Sequence, residues 1–224
     1  MIAFFLVAHL VADFILQPFW LVQRKRCWSG LLIHGGIVLA CMLALALIMP
    51  QILALWPAML IITAMHIATD WWKVNLGDAL FYHPIHGFLV DQCIHIATII
   101  SILYVVFPSS ALWSMTTPPY NHIAWSAAGY TIAAFATPIA VMVWLDPAGR
   151  YSALAGWARL RSCVASVAVL SLVLNASTLA LPAALVGMVI VTQWPQSTHP
   201  LDKPLGMFTV VGVSVLAGVL LRLL

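Results

Sequence analysis

The sequence of 224 residues has few charged side chains and contains no glutamate. Charged residues make up 7% of the chain, whereas an average soluble domain carries roughly 25%. Hydrophobic residues make up 64%, and the mean hydropathy is +1.07. These values exclude an ordinary soluble globular protein. Since a membrane-spanning helix needs about 20 apolar residues, the chain has room for roughly six to eight of them and for almost no extramembrane domain.

The sequence also lacks the motifs of several common cofactor and enzyme classes. It has no glycine-rich nucleotide-binding loop, no Cys-x-x-Cys-His haem attachment motif and no Gly-x-Ser-x-Gly nucleophile elbow. The few cysteines lie far apart, which indicates neither a zinc ribbon nor a disulfide framework, and we expect them to pack within helices. These cysteines are Cys27, Cys41, Cys93 and Cys163.

Long apolar runs predict an all-α, polytopic transmembrane bundle. They extend over residues 2–22, 31–49, 52–72, 88–107, 123–145, 163–194 and 206–223. The run 163–194 is too long for one crossing and contains Pro182, so we predict a helical hairpin there. This gives about eight spans, or seven if the run forms one helix. We divide the chain into a four-helix unit (1–107), an outer loop (108–122) and C-terminal helices that serve for packing (123–224).

Basic residues predict the orientation of the spans. If the helices alternate, these residues share one side of the membrane, and the positive-inside rule makes that side cytoplasmic. They are Arg24, Lys25, Arg26, Lys73, Arg150, Arg159 and Arg161. The N-terminus and the 108–122 loop then lie outside. The expected location is a bacterial inner membrane, and the expected partners are the lipid bilayer and other membrane subunits, with no nucleic acid.

Histidine and aspartate recur at the same spacing in three of the predicted spans. Ionisable residues within a membrane are costly and typically functional. In each pair the two residues are four positions apart and therefore share a helix face. The pairs are His9 with Asp13, His66 with Asp70, and Asp91 with His95. In the predicted orientation all three pairs, together with His34, lie in the cytoplasmic half of the membrane, so we predict one polar pocket that opens to the cytosol.

The chemistry of these residues predicts a metal site. Imidazole and carboxylate ligands favour Zn, Fe or Mn and disfavour copper(I). Three carboxylates held together at low dielectric need compensating cations, which one or two divalent ions would supply. The predicted metal ligands are His9, Asp13, His66, Asp70, Asp91 and His95. We expect His83 and His86 to be solvated or interfacial, and His122 and His199 to lie in loops.

Three further residues are candidates for catalysis. We expect His34 to complete the metal shell or to act as a base. Lys73, together with Lys25, would contact an anionic group of a substrate. Gln92, which directly follows Asp91, lies at the same level as the predicted pocket. The proposed chemistry therefore combines a metal ion, a base and a cationic contact.

At these residues the sequence resembles DUF3307, a family of uncharacterised bacterial integral membrane proteins. The matching segments are residues 9–17, Lys25, His34, residues 66–73 and residues 88–95. The resemblance covers about the first 107 residues and implies a shared polar site, but no activity. Longer family members continue with a Gly-Arg-x-x-Gly-x-x-Glu-Arg-like loop, to which Gly149, Arg150 and Arg159 correspond. Here Ala158 takes the place of the glutamate.

Three functional classes are compatible with this sequence. The first is a metal-dependent enzyme that acts on an amphipathic or lipid-linked substrate at the cytoplasmic leaflet. The second is a non-catalytic subunit of a larger membrane complex, which the sparse extramembrane mass and the many small residues in the C-terminal helices favour. The third is a transporter of metal ions or protons, although the outer halves of the spans are almost purely apolar and offer no polar path.

Overall fold

The computed structural model describes residues 1–106, 120–150, 156–175 and 198–223. These residues form eight helices, joined by turns and 3₁₀ segments, and no strand. The helices are α1 (Ile2–Phe14), α2 (Phe19–Arg24), α3 (Trp28–Ala44), α4 (Trp56–Leu80), α5 (Pro84–Val106), α6 (Tyr120–Leu145), α7 (Trp157–Asn175) and α8 (Pro204–Leu223). Six of them, α3 to α8, are long and apolar enough to cross a bilayer. The prediction of an all-α, multi-pass membrane protein is therefore confirmed.

The first apolar run does not form the continuous span that was predicted for residues 2–22. Helix α1 has 13 residues, so it is about 20 Å long at 1.5 Å per residue, which is shorter than the roughly 30 Å hydrocarbon core of a bilayer. Pro18 explains the break, because a residue that precedes proline avoids the helical conformation. Pro18 is itself extended, with ψ of 158°, and α2 starts directly after it. The chain therefore turns between α1 and α2.

Several other boundaries differ from the prediction. Helix α5 starts at Pro84 rather than at residue 88, since proline is favoured in the first turn of a helix. His86 therefore lies in the first turn of α5, and His122 lies in the first turn of α6, whereas both were expected in loops. His83 and His199 do lie in turns, and each ring accepts a hydrogen bond from a backbone N–H two residues later.

The predicted C-terminal hairpin falls only partly on the described residues. Helix α7 (Trp157–Asn175) includes the start of the run 163–194, while residues 176–197 lie outside the described residues, as does most of the 108–122 loop. The hairpin and the total of eight spans therefore remain predictions.

The chain forms two compact units, Met1–Trp125 and Ser126–Leu224. In the first unit α3 packs against α1 and α4, and α5 packs against α4 and α1. Phe5, Met42, Met59 and Leu103, one from each of these four helices, are fully buried in a single apolar core. Each lies within about two turns of a predicted site residue of its own helix, so the apolar core adjoins the polar residues.

The second unit is built from the C-terminal part of α6 together with α7 and α8. Its apolar core includes Val141 and Val210. Arg161 of α7 forms an ion pair with Asp202, in the 3₁₀ turn that precedes α8. Gly218 permits a close approach of α8 to α7, because a Cβ at this position would lie 2.6 Å from Val173. This unit is thus held by small-residue packing and by an ion pair at one end.

Candidate metal centre

The four packed helices of the first unit bring all the predicted metal ligands, and His34, into one buried cluster. Each of these seven residues is at most 8% exposed. The i, i+4 spacing directs both members of each pair to the same side of their helix. Helix α1 supplies His9 and Asp13, α3 supplies His34, α4 supplies His66 and Asp70, and α5 supplies Asp91 and His95. The predicted convergence of these side chains is therefore found.

Two carboxylate oxygens of the cluster lie close to the same pair of imidazole nitrogens. The Nε2 atoms of His34 and His66 are 2.9 Å apart. Asp13 Oδ1 lies 3.1 Å from the His34 nitrogen and 3.5 Å from the His66 nitrogen. Asp70 Oδ2 lies 3.5 Å from both nitrogens. The two imidazole nitrogens and a neighbouring carboxylate oxygen therefore lie close enough together to bind one divalent cation.

A second group of potential ligands shares Asp70 with the first. His95 Nε2 lies 3.3 Å from Asp91 Oδ1 and 3.8 Å from Asp70 Oδ1. The two oxygens of Asp70 thus face the two groups separately. His9 lies beside both, with its Nδ1 atom 3.8 Å from Asp13 Oδ1 and its ring 5.1 Å from that of His95. Asp70 is therefore the residue that connects the whole cluster.

Several buried polar atoms of the cluster make no hydrogen bond of good geometry. They are His9 Nδ1, Asp70 Oδ2, Asp91 Oδ1 and His95 Nε2. Their nearest partners lie at ion-pair distances but are poorly directed for hydrogen bonding. Since buried polar atoms in proteins are normally hydrogen-bonded, four such atoms in one cluster favour a site for a cation or a water molecule.

Two lysines form ion pairs with the cluster. Lys25 Nζ lies 2.8 Å from Asp70 Oδ2, and Lys73 Nζ lies 2.6 Å from Asp91 Oδ2. The side chain of Lys25 is 9% exposed, whereas that of Lys73 is 33% exposed. Lys25, which was expected to contact a substrate, is therefore sequestered inside the cluster, and Lys73 is the lysine that reaches its surface. Within the described part of the chain, Asp13 forms ion pairs with imidazoles only.

Gln92 links three members of the cluster. Its Nε2 atom donates to Asp91 Oδ2 at 3.0 Å and to Asp13 Oδ2 at 3.3 Å. Its Oε1 atom lies 3.3 Å from His9 Nε2, which can act as the donor of this hydrogen bond. In that tautomer His9 Nδ1 keeps its lone pair and can bind a metal ion. Gln92, which was predicted to be catalytic, is therefore placed to orient cluster residues.

The break before α2 and a glycine in α3 position Lys25. The amide of Gln17, oriented to satisfy both of its polar atoms, donates to the backbone carbonyl of Asp13 at 3.1 Å and accepts from the Lys25 ammonium. A Cβ at Gly30 would lie 2.1 Å from the carbonyl oxygen of Arg24, so only glycine permits this approach of α2 to α3. The sequence signal for these contacts is Pro18, because a proline interrupts the first apolar run before the basic residues.

Comparison with known proteins yields one match at the level of protein families. The family described as "Protein of unknown function (DUF3307)" matches residues 1–124. This range includes every residue of the cluster and almost coincides with the first compact unit. No curated protein and no solved structure matches the chain. The family match thus includes the whole buried cluster and ends within the first turns of α6.

Proposed function

This chain belongs to the DUF3307 family, and from that premise we propose that it is a metal-dependent membrane enzyme. Its substrate is an amphipathic or lipid-linked molecule at the cytoplasmic leaflet of a bacterial inner membrane. The observation that carries this proposal is that Asp13 and Asp70 each place a carboxylate oxygen within 3.1–3.5 Å of the Nε2 atoms of His34 and His66, which are 2.9 Å apart. The C-terminal helices serve for packing.

In this proposal four residues hold the metal ion. His34 and His66 contribute Nε2 atoms, and Asp13 and Asp70 contribute carboxylate oxygens. Such a mixture of ligands suits Zn, Fe or Mn. His34, for which the sequence left open a role as base, is thereby assigned as a ligand. His9, Asp91 and His95 surround the metal position and remain available for other roles.

The charges of the cluster support one metal ion rather than two. Three aspartates and two lysines leave one net negative charge while the histidines are neutral. One divalent ion brings the total to +1, and a second would bring it to +3. Burying uncompensated charge is costly at low dielectric. We therefore expect one tightly bound ion, whereas the sequence alone allowed one or two.

The remaining residues can act on a bound substrate. When bound, the metal ion would polarise an oxygen atom of the substrate or activate a water molecule. His95, oriented by Asp91, lines a cavity of about 10 Å³, which has room for one water molecule, and can accept or donate a proton there. Lys73, at the partly exposed edge of the cluster, can contact an anionic substrate group.

Elemental analysis of the purified protein tests this proposal. Wild type prepared without chelator from metal-replete cells should contain close to one transition-metal ion per chain. His66→Ala should lose this ion, because it removes one of the four ligands. His86→Ala is the matched control, since it removes an exposed histidine outside the cluster and should leave the metal content unchanged. Metal-free, folded wild type would contradict the proposal.

A metal-free proton relay is the second candidate, and the two lysine ion pairs favour it. Because Lys25 and Lys73 already compensate two of the three carboxylates, one protonated histidine would suffice to balance Asp13. The contacts among His9, Asp13 and His34 could then pass a proton between helices. Two results together would favour this candidate over the enzyme. Folded wild type would contain no metal, and the Asp13→Asn variant would lose the proton transfer.

The proposed cytoplasmic opening depends on the predicted orientation, which cysteine labelling can check. Cys27 and Cys93 are exposed, so the native cysteines are first replaced. In intact cells an impermeant maleimide should label a cysteine introduced at Ser114, in the 108–122 loop. A cysteine introduced at Ala148, near exposed Arg150, should react only after permeabilisation, because the positive-inside rule places this segment in the cytoplasm. The reverse pattern would place the cluster in the outer leaflet.

A further inference from the structure

A groove of about 420 Å³ lies between α4 and α5, directly beside the cluster. It is open along its length and almost entirely apolar. Besides Thr98, its walls are formed by Ile61, Met65, Ile94, Ala97, Ser101 and Ile102. Ile61 is 52% exposed and Met65 is 46% exposed. Because both helices are membrane spans, these exposed apolar side chains face a hydrocarbon environment.

Thr98 lies between the groove and the cluster. This residue lines the groove and also the small cavity that contacts His9, His66 and His95. Met65 and Ile94, which form its near end, directly precede cluster histidines in the sequence. From Ile94 to Ile102 the groove follows α5 for eight residues, which is about 12 Å along the helix. The groove therefore begins next to the cluster histidines and extends away from them along α5.

We infer that this groove binds the hydrocarbon chain of a membrane lipid whose headgroup lies at the cluster. The inference rests on the proposed function, which supplies the reacting groups and the cytoplasmic orientation. Met65 and Ile94, which adjoin cluster histidines, mark one end of the groove, and Ser101 and Ile102 mark the other. A lipid of the cytoplasmic leaflet would lie in the same direction as the groove, with its headgroup near the membrane surface and its chain toward the bilayer centre. The groove volume is near the lower limit of about 300–1,000 Å³ for ligand pockets, which suits one chain.

Photo-crosslinking tests the inference. The protein is reconstituted into phospholipid vesicles that contain a phospholipid with a diazirine near the middle of one acyl chain, and adducts are mapped by peptide mass spectrometry. In wild type the adducts should concentrate on groove residues of α4 and α5. Ala97→Trp fills the groove and should reduce these adducts several-fold. Ile100→Trp is the matched control, because Ile100 is 39% exposed on the same helix but does not line the groove, and its adducts should remain as in wild type.

Two results would overturn the groove as a lipid site. One is an even distribution of adducts over all exposed faces of the spans. The other is a crosslink between two copies of the chain through the groove, since a second copy would then occupy it. Metal content measured on the same samples separates this inference from the proposed function. Metal-free wild type with adducts confined to the groove refutes the metal enzyme alone, whereas metal-bound wild type with evenly spread adducts refutes the lipid groove alone.

Discussion

Asp13→Asn should lower the affinity for the bound metal ion by roughly tenfold or more while the chain stays folded. Asparagine keeps an oxygen atom at the same position but removes the negative charge that the ion needs. Asp13 is the most informative of the three carboxylates because, within the described residues, it forms ion pairs with imidazoles only. Its substitution therefore removes a ligand without leaving a buried lysine unpaired.

If the cluster has only a structural role, Asp13→Asn should not weaken metal binding. Without a metal ion, the buried Asp13 carboxylate has only imidazoles within ion-pair distance among the described residues, so neutralising it should preserve or raise the thermal stability. Equilibrium dialysis against zinc, combined with thermal unfolding in detergent, distinguishes the two cases. Asp146→Asn is the control, since it removes a buried carboxylate of the second unit and should leave zinc binding unchanged. Unchanged zinc affinity in Asp13→Asn would exclude Asp13 as a ligand.

Asp70 and Asp91 are less suitable than Asp13 for testing metal binding, because each forms an ion pair with a lysine. From the sequence alone, Asp70→Asn and Asp91→Asn looked equivalent to Asp13→Asn, because all three residues were expected to bind metal. In the structure Asp70 pairs with Lys25, and Asp91 pairs with Lys73. Either substitution would therefore remove a carboxylate and also leave a lysine ammonium group unpaired. A loss of metal in these variants could arise from either change.

The convergence of the cluster was predictable because it depends on regular geometry. Residues four apart share a helix face whatever the rest of the fold, and burying an ionisable group in a membrane requires partners. His9 with Asp13, and Asp91 with His95, therefore had to face other polar groups. The helices were predictable from the apolar runs, because length and hydropathy suffice to identify a membrane span.

The lysine pairings could not be predicted, because they depend on tertiary contacts. Lys25 reaches Asp70 only because the chain turns at Pro18 and because Gly30 permits α2 to approach α3. A continuous span over residues 2–22 would have carried Lys25 away from the pocket, toward the membrane surface. The position of His34 within the ligand set likewise depends on the packing of α3 against α4, which no periodicity in the sequence specifies.

Lys25→Met should destabilise the metal-free protein by about 3–5 kcal/mol, the usual cost of breaking a buried ion pair by removing one partner. The substitution leaves the Asp70 carboxylate buried and facing three imidazoles, without its ammonium partner at 2.8 Å. Adding Asp70→Asn to the same chain removes that unpaired charge and should restore most of the loss. The two substitutions are therefore expected to be strongly non-additive in a double-mutant cycle.

Bound metal should reduce the effect of Lys25→Met, because the ion also compensates the Asp70 charge. Thermal unfolding in detergent, with and without a chelator, measures both situations. Arg24→Met is the matched control, since it removes an exposed basic residue next to Lys25 and should change stability by less than about 0.5 kcal/mol. Additive losses in the double variant would show that Lys25 and Asp70 do not interact. An equal loss with and without chelator would show that the metal ion does not neutralise Asp70, which would exclude this residue from the ligand set.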